Sequence, residues 1–325
     1  MQTQTAFSRD VLTLDPAREV EAIQHGIRRI VRDHFHRRGA VVGLSGGIDS
    51  SVTAALCAGA LGQERVLGLL MPEADSSPDS AQLAMNFADK FGIATAEENI
   101  TPILAAADCY ARRDAAIARV LPEYGEGWKS KIILPDMLSS DRYAIFSIVA
   151  LSPDGVEHRV RLTAEASLEV VAATNFKQRV RKMLEYYHAD RLQYTVAGTP
   201  NRLEYDQGFF VKLGDGAADL KPIAHLYKTQ VYQLAEYLGV PETIRLRPPT
   251  TDTYSLTQSQ EEFYFSISLE KMDLCLYGKE HEVHVEEVAA AIGLHAEQVT
   301  RIYRQIDARR RVAQYLHSKP LLIAD

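Results

Sequence analysis

The apolar positions of this chain change rhythm along its length. Between residues 16 and 36, Val20, Ile23, Ile27, Ile30, Val31 and Phe35 recur at steps of three and four with Arg and Glu between them. That spacing predicts a helix with one buried face. Asp15 followed by Pro16 suits its start, as an N-cap and a proline at the first helical position, and Gly39 suits its end. Short continuous apolar runs then appear at 40–44 and 65–71, and a third strand is expected over 94–100, separated by helical stretches at about 50–62 and 77–91. Strand, helix, strand, helix, strand with uniformly apolar strands predicts a parallel sheet covered on both faces, joined by right-handed crossovers.

The regular alternation breaks at about Asp108. Residues 121–140 mix Pro, Gly, Trp128 and charge. Two β-rich runs, 143–151 and 156–162, flank Ser152-Pro153-Asp154-Gly155, a turn sequence that predicts a hairpin. Residues 108–163 therefore read as an insertion in an α/β core. Helix resumes at 164–188, a fourth strand is expected at 194–198, and a helix at 228–238 is closed by Gly239 and Pro241. The stretch 245–268, with Pro248-Pro249 and many polar residues, reads as a mobile loop, and 286–316 as helical. The expected fold class is α/β, a doubly wound parallel sheet flanked by helices, with a β-hairpin-containing insertion.

Bulk properties narrow the field. At 325 residues, 46% hydrophobic and 24% charged, the chain has the make-up of a soluble globular protein with a large core. A formal charge of −7 gives no basic field to attract nucleic acid. Cys57, Cys109 and Cys275 are isolated from one another, without a CxxC pair, so neither a zinc site nor a disulfide framework is expected. Reducing cytoplasm is the expected compartment. No apolar leader and no stretch of about 18 apolar residues suggests secretion or membrane spanning.

The chemistry enters at Ser45-Gly46-Gly47-Ile48-Asp49-Ser50-Ser51, between the first strand and its helix. Two glycines let the backbone approach a ligand, Ser45, Ser50 and Ser51 offer hydroxyls, and a helix start offers unpaired N–H groups. Asp49 is out of place in an anion-binding loop unless a divalent cation accompanies the anion, which suggests a nucleotide polyphosphate with Mg2+. A Walker A loop is excluded, since Asp49 stands where that motif requires Lys.

Later segments add partners. Lys177 and Arg181 in Asn175-Phe-Lys-Gln-Arg179-Val-Arg181 lie four apart, so they share a helix face; a solvated basic stripe and a phosphate contact both fit that spacing. Thr199-Pro-Asn201-Arg-Leu-Glu204 follows the fourth strand, where open α/β sheets gather ligand groups. Glu204 could join Asp49 around Mg2+, since hard cations choose carboxylate oxygens, while Thr199 and Asn201 could equally serve as helix caps. Gly208-Phe-Phe-Val-Lys212-Leu-Gly-Asp215-Gly-Ala-Ala-Asp219 reads as a polar loop after an aromatic strand, and Lys228 opens a helix close to the phosphates.

The set SGGIDSS, NFKQRVR, GTPNRLE, GFFVKLGDGAADLKPIAHLYKTQVYQLAEYLGVPE and RPPTTD, in this order, resembles NAD synthetase of the ammonia-dependent type, within the N-type ATP pyrophosphatases. The resemblance covers residues 40–100 and 165–275, and implies an adenine-nucleotide alpha hydrolase-like fold, a single synthetase domain over 1–325 and a homodimer. It also implies a reaction: nicotinate adenine dinucleotide, ATP and ammonia give NAD, AMP and pyrophosphate through an acyl-adenylate. By the same resemblance Ser45, Gly46, Gly47, Asp49, Ser50 and Ser51 hold the pyrophosphate. Asp49 and Glu204 bind Mg2+, and Arg181, Thr199, Lys228 and Thr250 contact ATP. Lys212, Asp215 and Asp219 meet the dinucleotide or its adenylate and carry the catalytic role, with Asn175 and Arg179 on the substrate side. Asp215 or Asp219 is the candidate to take the proton that ammonium loses.

Some features depart from the family pattern. The insertion is foreign to the family core, Gln260 stands where the family usually carries Asp, and Phe263-Tyr-Phe265 replaces a Gly-containing stretch. About 20 residues before the first helix cannot hold a glutaminase domain, so free ammonia, or ammonia from a separate protein, is the expected nitrogen source. The rival readings are a related pyrophosphatase that amidates another carboxylate and a non-catalytic nucleotide-binding regulator.

Overall fold

A computed structural model of the chain describes residues 7–133, 146–250, 253–256, 258–259 and 267–323. The first helix, α1 (Pro16–Arg28), starts where Asp15 accepts from the N–H groups of Ala17 and Arg18, and runs on as a π-helix to His34. Then come β1 (Ala40–Gly43), α2 (Ile48–Leu61), β2 (Val66–Leu70), α3 (Pro78–Phe91) and β3 (Ala94–Glu97). Two helices, α4 (Thr101–Ala106) and α5 (Cys109–Ala118), precede β4 (Lys129–Ile133), β5 (Ser147–Leu151) and β6 (Glu157–Arg161). The long α6 (Ala164–Leu192) leads to β7 (Thr195–Val196), α7 (Arg202–Gln207), α8 (Lys228–Tyr237) and α9 (Glu242–Arg245). The last helices are α10 (Leu269–Glu280), α11 (Val285–Ile292) and α12 (Ala296–His317).

Among the described residues β1, β2, β3 and β7 form one parallel sheet in the order β3-β2-β1-β7. Its winding is visible in how the strand residues divide. Ala40, Val42, Val66 and Leu70 enter a core with α1, α2 and α8, while Val41, Leu67 and Leu69 enter a second core that includes Ile100, Leu104 and Val180. Side chains that alternate along a strand thus bury on opposite faces, which is why these strands read as unbroken apolar runs. The doubly wound α/β expectation holds. The edge strand β3 is the exception, with Ala94, Thr95 and Glu97 exposed.

The sequence reading needs three corrections. The helical pattern continues past Asp108, since α5 packs along α6. The stretch read as irregular contains β4, so the expected hairpin is the outer part of a three-stranded antiparallel sheet, β4-β5-β6. Lys129 and Lys131 alternate with buried Ser130 and Ile132, a strand pattern hidden by the neighbouring Gly, Pro and Trp. The aromatic run after Gly208 is not a strand; Gly208 caps α7 at φ 70°, and 211–217 is a tight turn held by Val211 carbonyl bonds.

Candidate active site

β1 lies between β2 on one side and β7 on the other, so the chain reverses its direction of travel across the sheet at this point. Open α/β sheets collect ligands in the crevice beyond such strand ends. A cavity of about 600 Å3 opens there, lined by the loop after β1, the loop after β7, one face of α6 and the start of α8.

The loop after β1 is braced by its own hydroxyls. Ser50 and Ser51 donate to the Gly47 carbonyl at 3.0 and 2.9 Å, and the Gly47 N–H donates to Ser45 Oγ at 3.3 Å. Gly46 sits at φ 74° with the Ser80 carbonyl where a Cβ would be, so the loop needs glycine there for two reasons. Ser45, Gly47, Asp49 and Ser50 line the cavity, whereas Gly46 and Ser51 lie behind it as buried support. The first turn of α2, capped by Gly47 without a side-chain bond, points its N–H groups at this wall.

Asp49 meets two other predicted elements. It accepts from Lys228 Nζ, and from Asn201 Nδ2 at 3.1 Å. Lys228 is 1% exposed; burial opposes its charge, but Asp49 and then Glu204 outweigh it and hold the ammonium pKa above its ordinary value. Asn201 and Glu204 cap α7 reciprocally, so the helix-capping and ligand readings of this segment are compatible. Glu204 lines the cavity with Asp49, Thr199, Lys228, Arg181, Asn175, Thr250 and Asp215. Two carboxylates on one wall suit a hard cation that takes its remaining oxygens from phosphates and water, and among the described residues no cluster of three acidic, His or Cys side chains forms a self-sufficient cage.

The remaining candidates stand elsewhere. Asp219 is used by the fold: Oδ2 accepts from the Val196 N–H at 2.8 Å and Oδ1 from the Tyr186 hydroxyl at 3.2 Å, off the cavity wall. Lys212 reaches away to the end of α12, donating to the Tyr315 carbonyl and Ser318 Oγ, both at 2.9 Å. Arg179 is exposed and donates to the Lys212 carbonyl at 3.3 Å. Asp215 does line the cavity; loss of water around it pushes its pKa up, against the Val211 N–H that it accepts at 2.7 Å. Lys177 is fully buried, so the solvated stripe is ruled out for it; its three donors meet Glu73 Oε1 at 2.8 Å, Asp75 Oδ2 at 2.6 Å and the Thr253 carbonyl at 2.8 Å. Cys57 is a buried thiol pushed up to about 12 by desolvation, the inert core group its helix suggests.

Sequence reasoning named Asn175 but missed the stripe of α6 that continues from it. Gln178, Lys182 and Glu185 face the cavity with Asn175 at steps of three and four, with Lys182 and Glu185 paired at 2.5 Å. The signal was present, since extending the Lys177–Arg181 spacing argument along the helix yields this second, adjacent face. Arg247, whose guanidinium donates to Ser80 Oγ at 3.1 Å on the cavity wall, had no comparable signal. Of the stretch 245–268, residues 251–252, 257 and 260–266 lie outside the described residues, Gln260 and Phe263-Tyr-Phe265 among them.

Comparison with known proteins agrees with this geometry. The sequence profile of the family described as NAD synthase matches residues 19–120 and 138–313. The NH(3)-dependent NAD(+) synthetase of Mesorhizobium japonicum is 57% identical over 312 residues, covering 96% of this chain and 98% of that protein. The protein of the same name from Rhizobium rhizogenes is 54% identical, over 98% of this chain and 96% of its own length. Among solved structures, an NH3-dependent NAD synthetase from Campylobacter jejuni superposes with a TM-score of 0.63 at 22% identity, covering 96% of this chain and all of that one, a likeness of fold. Family profile and relatives lead to one assignment: the chain belongs to the NAD synthase family.

Proposed function

We propose that this enzyme amidates nicotinate adenine dinucleotide with ammonia, consuming ATP and releasing NAD, AMP and pyrophosphate. The observation that carries the reading is the convergence on one cavity of the Ser45–Ser50 loop, Asp49, Glu204 and Lys228 at the sheet's switch point. The whole chain acts as a single synthetase domain in this reading, with the three-stranded sheet as an addition to its core.

The nicotinate carboxylate cannot be amidated directly, because its leaving group would be oxide. Its oxygen attacks the α-phosphorus of ATP, the bond to the β-phosphate oxygen breaks, and pyrophosphate leaves. Ammonia then attacks the acyl carbon and AMP departs with the carboxyl oxygen. The α2 N–H groups and the Ser45 and Ser50 hydroxyls grip the departing pyrophosphate, and Lys228 and Arg181 offset its charge. Mg2+, held by Asp49 and Glu204, would supply further charge stabilisation at the phosphates. Little covalent chemistry is asked of the side chains, so holding two anionic substrates in register is the main task, one to which the polar stripe of α6 is suited.

Asp215 is the better candidate to receive the ammonium proton. Its raised pKa makes it a stronger base than an exposed carboxylate, and it lies on the cavity wall. Asp219, with both oxygens engaged, acts instead by holding the 211–219 turn to β7. Lys212 and Arg179 meet the dinucleotide outside the main cavity in this reading, and a second copy of the chain completes a homodimer.

Incubating the protein with nicotinate adenine dinucleotide, ATP, Mg2+ and ammonium tests this. NAD and AMP in equal amounts are expected; ADP in place of AMP would refute cleavage between the α- and β-phosphates. Glutamine hydrolysis by the purified protein alone would refute the expected nitrogen source.

A further inference from the structure

The outer edge of β4 is occupied. The Ser130 N–H donates to Ser255 Oγ at 2.8 Å, and the Ser130 carbonyl accepts from the Leu256 N–H at 3.2 Å. Two residues on, the Ile132 carbonyl accepts from the side-chain amide of Gln258. Three outward backbone groups of β4, the N–H and carbonyl of Ser130 and the carbonyl of Ile132, are therefore met by Ser255, Leu256 and Gln258. An uncovered strand edge offers unpaired N–H and C=O groups, and these three are satisfied from within the chain.

The covering segment belongs to the nucleotide cavity. Thr250, Thr253 and Tyr254 line it, and Thr250 bridges to Ser259 in antiparallel fashion. Tyr254 is 7% exposed, buried in the small core of the three-stranded sheet with Leu121, Ile132 and Ile148. Phe146, immediately before β5, lines the cavity itself. On the other side Lys177, fully buried, ties the Thr253 carbonyl to Glu73 and Asp75, both just beyond β2.

We infer that the sheet β4-β5-β6 is a positioning element of the nucleotide cavity: the β4 edge holds Ser255, Leu256 and Gln258, and so sets Thr250, Thr253 and Tyr254 on the cavity wall. The inference rests on reading this cavity as the ATP site. It gives a role to a segment that the sequence set apart from the core. In physical terms, only molecules with the segment docked present a complete wall, so the apparent dissociation constant for nucleotide rises in inverse proportion to the docked fraction.

The test is the double substitution Ser255→Ala with Gln258→Leu, which removes three side-chain bonds to β4 and leaves the cavity-lining residues unchanged. Three quantities are measured: hydrogen exchange at the Leu256 amide, the dissociation constant for α,β-methylene ATP, and the urea midpoint. Faster Leu256 exchange is expected, with analogue affinity weakened about tenfold, equal to about 1.4 kcal/mol, and a urea midpoint close to wild type. In turnover the KM for ATP rises with kcat within about threefold, as expected when the docked state alone binds well. Arg161→Ala, on the exposed face of β6, serves as the control and leaves both constants unchanged.

Faster exchange with unaltered analogue affinity would overturn the inference, since the segment would then merely cover a strand edge. Unchanged exchange would overturn it as well, because docking would not depend on β4. Analogue binding by the wild-type chain separately tests the ATP reading, so the two failures are distinguishable.

Discussion

Lys228→Met is the perturbation that probes the site most sharply. Lys228 opens α8, is 1% exposed and donates to Asp49, whose own side chain is 16% exposed. Methionine keeps the length and the apolar stem but leaves the Asp49 and Glu204 carboxylates on the cavity wall without the Lys228 charge. Removing one partner of a buried ion pair costs about 3–5 kcal/mol. The lost contact to a phosphate oxygen is a charged hydrogen bond worth about 1.5–3 kcal/mol, a fall of about 10- to 150-fold in kcat/KM for ATP. If Asp49 and Glu204 hold Mg2+, the variant should recover stability as Mg2+ is added, by about 1.4 kcal/mol at ten times the dissociation constant. The wild type, with Lys228 in place, should respond less. Urea unfolding with and without Mg2+, alongside steady-state kinetics in ATP, reads both effects. A variant within threefold of wild-type kcat/KM, or one whose stability ignores Mg2+, would refute the roles assigned to Lys228 and to the two carboxylates.

Other outcomes follow from the same geometry. Gly46→Ala forces a side chain into the left-handed region against the Ser80 carbonyl, so a loss of about 1–3 kcal/mol in stability is expected with a weakened affinity for ATP, read by urea unfolding and analogue titration. Asp273, fully buried against the start of α8 and accepting the Thr229 N–H at 2.8 Å, is pushed by burial from the ordinary 3.8 up to about 6. The native state then holds a proton that the unfolded chain releases, so the contribution of Asp273 to stability is fully present below pH 3.8 and is lost as pH rises through about 6, by about 3 kcal/mol in all. Asp273→Asn should flatten this dependence and be the more stable protein at pH 7; a stability difference that does not vary between pH 4 and pH 7.5 would contradict the assignment.

The parts of the site that were legible from sequence are those where local chemistry is distinctive. The Ser45–Ser51 loop announces itself because glycines, hydroxyls and a lone carboxylate have few other reasons to occur together between a strand and a helix. Lys228 and Glu204 followed from the same logic. What was not legible depends on long-range pairing. Asp219 looks like a catalytic carboxylate in sequence, and only the fold reveals that a backbone N–H and a tyrosine hydroxyl use both its oxygens. Lys177 and Arg181 share a helix face by spacing, yet one is sealed in an ion cluster while the other reaches the cavity. β4 escaped because its short alternation is bordered by turn residues, and with it went the docking of Ser255, Leu256 and Gln258, which joins residues about 125 apart by hydrogen bonds that no local pattern encodes.

The most direct test of the central claim, adenylation of a carboxylate within this cavity, is isotopic. Nicotinate adenine dinucleotide labelled with 18O in both carboxyl oxygens is turned over with unlabelled ATP and ammonium, and the products are weighed by mass spectrometry. The account predicts one 18O in AMP, one in the amide of NAD and none in pyrophosphate. Label in inorganic phosphate, or AMP free of label, would contradict it.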